Sequence, residues 1–229
     1  MIEAQLNWSL RHNFPYAIGA IDCTHIEISK PVRHPDEYIN RKVFHSINVQ
    51  ATCDAFDKFT SVDISWPGSV HDSRILKNSE LYRLMQTNVN VSNAVILGDQ
   101  GYGITPWLMT KHKNAATDLD KIFDNILIKD RISIEKCFGQ LKRRFPVLGY
   151  KLRVKENSIP IVIGACFVLH NVAKFLNEED FDKSNVDEEI PVEPEVVSSE
   201  DEWTDARMRR AGQLRRAAIV NEIGSSYTR

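Results

Sequence analysis

The chain has 229 residues with 29 Lys and Arg against 31 Asp and Glu, a formal net charge of −2, which excludes a histone-like polycation or a simple basic tail. The average hides a division: residues 1–177 hold 22 basic and 17 acidic side chains, 178–205 hold 13 acidic ones with Lys183 as the sole base, and 206–229 hold six Arg and Glu222. At 42% hydrophobic content, a body of about 175 residues can bury one full core, to which the acidic stretch adds little.

This pattern predicts a lead-in over 1–13, one folded domain over 14–177, an acidic disordered linker over 178–205 and a basic C-terminal segment over 206–229. No apolar run approaches the roughly 18–20 residues that span a bilayer, and the N-terminus is neither a signal nor a typical transit peptide, so a soluble intracellular chain is expected. Cys23, Cys53, Cys137 and Cys166 lie far apart without a C-x-x-C pair and read as small core residues.

In chain order, Tyr16–Ile28 is apolar and β-branched and then alternates, the mark of a strand buried at its start and half-exposed at its end. Phe44–Cys53 and Phe59–Trp66 follow, joined by the hairpin-length connector Asp54–Lys58, which predicts a three-stranded antiparallel meander. Trp66-Pro67-Gly68 breaks the pattern, and Ser69 can cap a helix over Val70–Met85. Ala94–Leu97 is a short buried strand that runs into Gly98-Asp99-Gln100-Gly101-Tyr102. Between Asp130 and Phe145, Ile134, Phe138, Leu141 and Phe145 share one helix face, and Pro146 ends that helix. Pro160–Leu176 is apolar nearly all round and is expected at the centre of the core, and Trp203–Ile223 has the composition of a basic helix.

Asp22 ends the apolar run of the first strand, Asp99 ends the fourth, and Glu135 lies on a helix. If those strands are neighbours, the two aspartates meet at one sheet edge and a crossing helix supplies the glutamate. Three carboxylates there repel one another unless cations compensate, and hard oxygen donors suit Mg²⁺ or Mn²⁺. A pair of such ions activates an attacking oxygen and stabilises the leaving one in phosphodiester chemistry, of the nuclease or strand-transfer kind. Asp72, where the chain leaves the third strand, is a fourth candidate. Each acid has a plainer role open to it: Asp22 as a solvated strand end, Asp99 in a Gly-flanked turn, Asp72 in a helix's first turn, and Glu135 as the i+4 partner of Arg131.

Arg131, Glu135, Gly139 and Lys142 form a polar stripe opposite the apolar face of their helix. Residues 131–155 hold Arg131, Lys136, Lys142, Arg143, Arg144, Lys151, Arg153 and Lys155 against Glu135 alone, a phosphate-binding surface on the sequence. His25 and His71 read as hydrogen-bonded structural residues, His170-Asn171 as a satisfied core pair, and Trp66 as a packed hinge. Tyr102 beside Asp99 is open to either a structural or an active-edge role.

Several motifs in series carry a resemblance. The runs Ala20-Ile21-Asp22-Cys23-Thr24-His25-Ile26, His45–Gln50, Trp66-Pro67-Gly68-Ser69-Val70-His71-Asp72-Ser73-Arg74, Leu97-Gly98-Asp99-Gln100-Gly101-Tyr102, Ile134–Gly139 with Leu141–Phe145, and Ala165-Cys166 with Leu169-His170-Asn171 resemble, in order, the DDE transposase domain of the PIF/Harbinger superfamily. They are especially similar to its domesticated animal members, the Harbinger-derived nucleases.

The resemblance implies an α/β, ribonuclease H-like mixed five-stranded sheet flanked by helices, with residues 14–177 as the DDE-type catalytic domain. It carries the triad onto Asp22, Asp99 and Glu135, with Asp72 at a further acidic position, and implies a divalent cation and a DNA-directed function in the nucleus and, beside it, the cytoplasm. Phe123-Asp124-Asn125 and Leu127 depart from the family's aromatic-Asn and His, and the loop after Leu108-Met109-Thr110 lacks its Pro. The family's N-terminal region with its helix-turn-helix has no counterpart in this sequence, so recognition of specific transposon ends is not expected from it alone. Two readings result: a metal-dependent nuclease domain, or a non-catalytic nuclear chromatin module acting through a partner, such as the separate Myb/SANT-like DNA-binding protein the family suggests. Retention of all three acids favours the first.

Overall fold

The computed structural model describes residues 2–87, 93–178 and 206–227. Helix α1 (Ile2–Ser9) leads into strand β1 (Ala17–Glu27), followed by β2 (Ser46–Cys53) and β3 (Phe59–Pro67). Helices α2 (Asp72–Asn78) and α3 (Glu80–Thr87), strands β4 (Val95–Leu97) and β5 (Leu108–Met109), and helices α4 (Asp118–Arg144), α5 (Ile159–Phe175) and α6 (Ala206–Tyr227) complete the chain. The expected linker lies outside the described residues apart from Glu178.

The strands form one mixed sheet in the order β3-β2-β1-β4-β5. The meander β1-β2-β3 is antiparallel, whereas β1, β4 and β5 run parallel, which gives the ribonuclease H-like arrangement. Alternation along β1 divides the core between two faces. Ala20 and Ile26 join Trp8, Phe14 and the inner faces of α4, α5 and α6, while Ile21 and Cys23 pack with Leu76, Ile96, Tyr102 and Trp107. The turn between β2 and β3 is held by Asp54, whose Oδ1 accepts from the amides of Phe56 (2.8 Å) and Lys58 (3.0 Å). Gly19 is required by packing, because a Cβ there would sit 2.3 Å from the Cys53 carbonyl oxygen.

The helices differ from the expected ones in four ways. The single helix over Val70–Met85 is two, because Ser79 turns its hydroxyl back to the Leu76 carbonyl (2.7 Å) and accepts from the Tyr82 amide (3.1 Å), ending α2 and starting α3. Helix α4 starts at Asp118, not Asp130, behind a capping box in which Thr117 and Asp120 satisfy each other's amides. Its apolar face is interrupted by Asp130, which is 2% exposed and accepts from the amides of Asn13 (2.8 Å) and Phe14 (2.7 Å).

Helix α5 is not buried all round. Ile159, Ile163, Cys166, Phe167, His170 and Ala173 face inward, with the Phe167 ring 4.5 Å from that of Phe59, and Asn171 pairs with both the amide and the carbonyl of Phe59 at 2.8 Å. Ile161, Val168, Leu169, Val172 and Phe175 are 46–74% exposed. A short turn at Glu156–Ser158 lengthens this element, so Glu156–Phe175 is long and apolar enough to cross a membrane by length and composition, contrary to the expectation that no run is. Its inward face is nonetheless that of a helix lying on the sheet.

Fourth, α6 belongs to the core. Ile219, Val220 and Ile223 are buried in it, the Tyr16 hydroxyl donates to Glu222 (2.6 Å), and Arg216 donates to the carbonyls of Thr110 and Lys111 (both 3.1 Å). With Trp8 fully buried on α1, the core draws on segments on both sides of 14–177.

Candidate active site

The parallel pairing of β1 with β4 sets the site. Ala20 lies opposite Leu97, so two residues further along each strand Asp22 and Asp99 come side by side beyond the end of β4. The Asp22 Oδ1 accepts from the Cys23 amide (2.8 Å) and its Oδ2 from Arg131 Nη1 (3.0 Å). The other guanidinium nitrogen of Arg131 pairs with Glu135 Oε1 at 2.8 Å, one turn along α4. Arg131 therefore bridges the strand carboxylate and the helix carboxylate, with the Asp22, Arg131 and Glu135 side chains only 18%, 12% and 25% exposed.

Asp99 turns its Oδ1 to the Gly101 amide (3.0 Å), closing the turn after β4. Asp72, the first residue of α2, accepts at Oδ1 from Asn48 Nδ2 (3.0 Å), and the same amide group also holds the Val70 carbonyl (2.9 Å). Burial pushes the Asp22 carboxyl well above its ordinary pKa; the charges of Asp99 and Asp72 add to this, and Arg131 and the Cys23 amide oppose it. Beneath the acids, Cys23 Sγ meets the fully buried Tyr102 hydroxyl at 3.1 Å. Burial pushes both groups upward, so they stay protonated.

Asp22, Asp99 and Asp72 are thus close enough to act on one another, and Glu135 joins them through Arg131. Among the described residues no three His, Cys, Asp or Glu side chains stand close enough together to hold a metal ion as placed. The cause is visible at the site: Arg131 lies between Asp22 and Glu135, while Asp99 and Asp72 are turned to backbone and amide donors. The donor set itself is all carboxylate oxygen with more negative than positive charge, which fits a hard divalent cation.

The basic residues divide. Lys142 donates to the His25 carbonyl (3.2 Å) at the site's rim, and Arg143 lies nearest Gly139. Arg153 and Lys155 are exposed. Lys136 instead pairs with Asp57 (3.3 Å) and Lys151 with Glu27 (3.0 Å). Arg144, whose side chain is 9% exposed, pairs with the exposed Glu178 (3.1 Å). Trp66 donates to Asp63 (3.1 Å), and His170 lies fully buried with Nε2 at the Asp57 carbonyl (3.2 Å). The contacts Cys23–Tyr102 and Asn48–Asp72 were not foreseen. Cys23 directly follows Asp22 in the sequence, whereas no local feature marks Asn48, whose strand partners are His25 and Trp66, as a partner of Asp72.

The profile of the DDE superfamily endonucleases matches residues 21–171, a span that opens one residue before Asp22 and closes after Glu135. The chain belongs to this family. Within it, the chain is similar to "Putative nuclease HARBI1" of Rattus norvegicus, 31% identical over 212 residues, covering 91% of this chain and 59% of the relative. The Homo sapiens protein of the same name is 32% identical over 162 residues, 69% of this chain and 46% of the relative. "Protein ALP1-like" of Arabidopsis thaliana is 27% identical over 184 residues, 73% of this chain and 45% of the relative. The chain therefore spans about half the length of the curated relatives it matches, and it is a Harbinger-type, transposase-derived DDE domain with a nuclease-like fold. No solved structure matches it.

Proposed function

We propose that this chain is the catalytic body of a divalent-metal-dependent nuclease that cleaves phosphodiester bonds in DNA. The observation that carries the reading is the pairing of Asp22 with Asp99 at the parallel β1–β4 edge, with Asp72 and Glu135 beside it and Arg131 bridging two of the four acids. Asp22, Asp72, Asp99 and Glu135 would hold Mg²⁺ or Mn²⁺, with Asp22, Asp99 and Glu135 as the catalytic triad. Bound there, the cation supplies activation of the attacking oxygen and stabilisation of the leaving one.

The chain's own residues do the rest. Arg131 keeps Asp22 and Glu135 facing each other and offers a guanidinium to a phosphate that arrives with its cation. Lys142, Arg143, Arg153 and Lys155 extend the positive field along the rim, and the protonated Cys23–Tyr102 pair gives the acids a neutral floor. A nuclear location, and a separate Myb/SANT-like protein that brings the domain to its DNA, belong to the same proposal.

A second reading is favoured by Arg131 itself: with its guanidinium between Asp22 and Glu135, the fold balances part of its acidic charge internally, as a non-catalytic chromatin module would. Calorimetric titration with Mn²⁺ separates the two. The nuclease reading expects saturable binding that Asp99→Asn weakens at least about tenfold, the scale of losing one charged ligand, with loss of Mn²⁺-dependent cleavage of plasmid DNA. Absence of both binding and cleavage in the wild type supports the module.

A further inference from the structure

Asp72 also lines a cavity of about 290 Å³ whose walls include His25, Arg41, Lys42, Asn48 and His71. The residues come from the end of β1, the loop before β2, β2 itself and the Trp66–Asp72 connection, whose motif has no part in the triad. Gly68 is pressed into its wall: a Cβ there would lie 2.6 Å from the Tyr38 carbonyl oxygen and against the Ser46 hydroxyl, so the connection has to be glycine for the wall to form.

The polar groups of this wall fall into two sets. In the first, Arg41 Nη2 meets His71 Nδ1 at 2.6 Å. A guanidinium can only donate, so Nδ1 is the acceptor and the ring's hydrogen sits on Nε2. Lys42 adds a second full positive charge beside it. His25 is steadied by a chain in which Asn40 Nδ2 donates to Ser46 Oγ (3.1 Å), which meets His25 Nδ1 (3.0 Å). In the second, Asn48, 1% exposed, spends both amide hydrogens on Val70 and Asp72, which fixes the orientation of the group. Its Oδ1 is buried without a partner among the described residues, an acceptor that calls for an N–H or O–H donor.

We infer that this cavity receives a single unpaired nucleotide of the substrate strand, its phosphate against Arg41, Lys42 and His71 and an N–H of its base toward Asn48 Oδ1. The inference rests on the nucleic-acid reading above. The volume lies at the small end of the roughly 300–1,000 Å³ typical of ligand sites, room for one nucleotide and not for a base pair. A nucleotide in a duplex would have to swing out of the stack to enter. Asp72 is the shared wall: its charge acts on Asp22 on one side and it lines the cavity on the other, so a nucleotide held here adjoins the bond presented to the acids. Because any base carries an N–H on its edge, the site tolerates sequence.

The test uses the full chain in EDTA with thymidine 5′-monophosphate as the probe, followed by amide proton–nitrogen spectra. Saturable shifts are expected at Ser69, Val70 and the Asn48 side-chain amide. Thymidine alone and inorganic phosphate alone should each bind at least about tenfold more weakly, the equivalent of one charge-assisted hydrogen bond. Arg41→Ala and Lys42→Ala, both at exposed positions, should each weaken the monophosphate by about fivefold or more on the same scale. Unchanged affinity in both variants overturns the inference, as does phosphate binding as tightly as the nucleotide, which would leave an anion site only. Neither metal nor cleavage enters this measurement, so it can fail while the nuclease reading stands, and the reverse.

Discussion

Asp22 sits in an electrostatic conflict. Burial, Asp99 and Asp72 all disfavour its charge, and Arg131 with the Cys23 amide opposes them. A folded-state pKa raised above the unfolded value of 3.8 means that this group's contribution to stability is fully present below pH 3.8 and is lost as pH rises through the folded value. Above pH 3.8 the group therefore weakens the metal-free fold, as groups placed for function commonly do. Asp22→Asn is expected to stabilise the metal-free protein at pH 7 by on the order of 1 kcal/mol, and its advantage over the wild type should shrink as the pH is lowered toward 4. Thermal melts of both proteins in EDTA across that range check the sign; a destabilised Asn variant at pH 7 would mean that the Arg131 bond outweighs the repulsion. Asp22 and Asp99 were legible because each closes an apolar run. The Arg131 bridge was legible only in its helical half, since i+4 spacing gives Glu135 but nothing local gives Asp22.

At the scale of elements, the strands were read well because alternation and the Asp54–Lys58 turn are local signals, and the parallel β1–β4 contact followed from topology. The helices were read less well, for reasons seen in single residues. The apolar periodicity marks α4 only from Asp130 onward because that residue interrupts the apolar face, yet its carboxylate is buried to hold the amides of Asn13 and Phe14, the latter 116 residues away in sequence. The two-residue β5 is too short for any periodicity to mark. In α5 the composition gave no hint of which side would be covered, and His170 and Asn171, the polar pair, turn out to face the sheet. Asp130 supplies the test at this scale. Asp130→Ala strands two amides, that of Phe14 buried, and is expected to cost about 2–4 kcal/mol, whereas Thr117→Ala at the exposed cap of the same helix costs about 1 kcal/mol. Urea midpoints with unchanged m-values would establish that order, and equal losses would show that the α1–β1 junction is not anchored through α4.

For the molecule as a whole, the division of charge along the sequence does not coincide with the division of the core. Composition sets the last segment apart as basic, but two of its arginines are put to structural use: Arg215 lies 5.0 Å over the Tyr16 ring and Arg216 holds the carbonyls of Thr110 and Lys111 after β5. With these arginines and the buried apolar face of Ile219, Val220 and Ile223, α6 packs onto α4 and β5 as part of the main core. Gly212 fits against Thr105 so closely that a Cβ would stand 2.8 Å from its carbonyl carbon, which ties the start of α6 to the β5 turn. Each buried aliphatic side chain contributes about 1.5–3 kcal/mol, and a domain's whole stability is about 5–15 kcal/mol, so the three together are a large share of it. A chain ending at residue 205 is therefore expected to melt well below the full chain or to fail to fold. Ile219→Ala, a milder cut at about 2–5 kcal/mol, should lower the melting point while leaving the Asp22 and Asp99 resonances in place. A 205-residue chain as stable as the full one would return α6 to the role that charge alone suggests, an appendage to a body complete at α5.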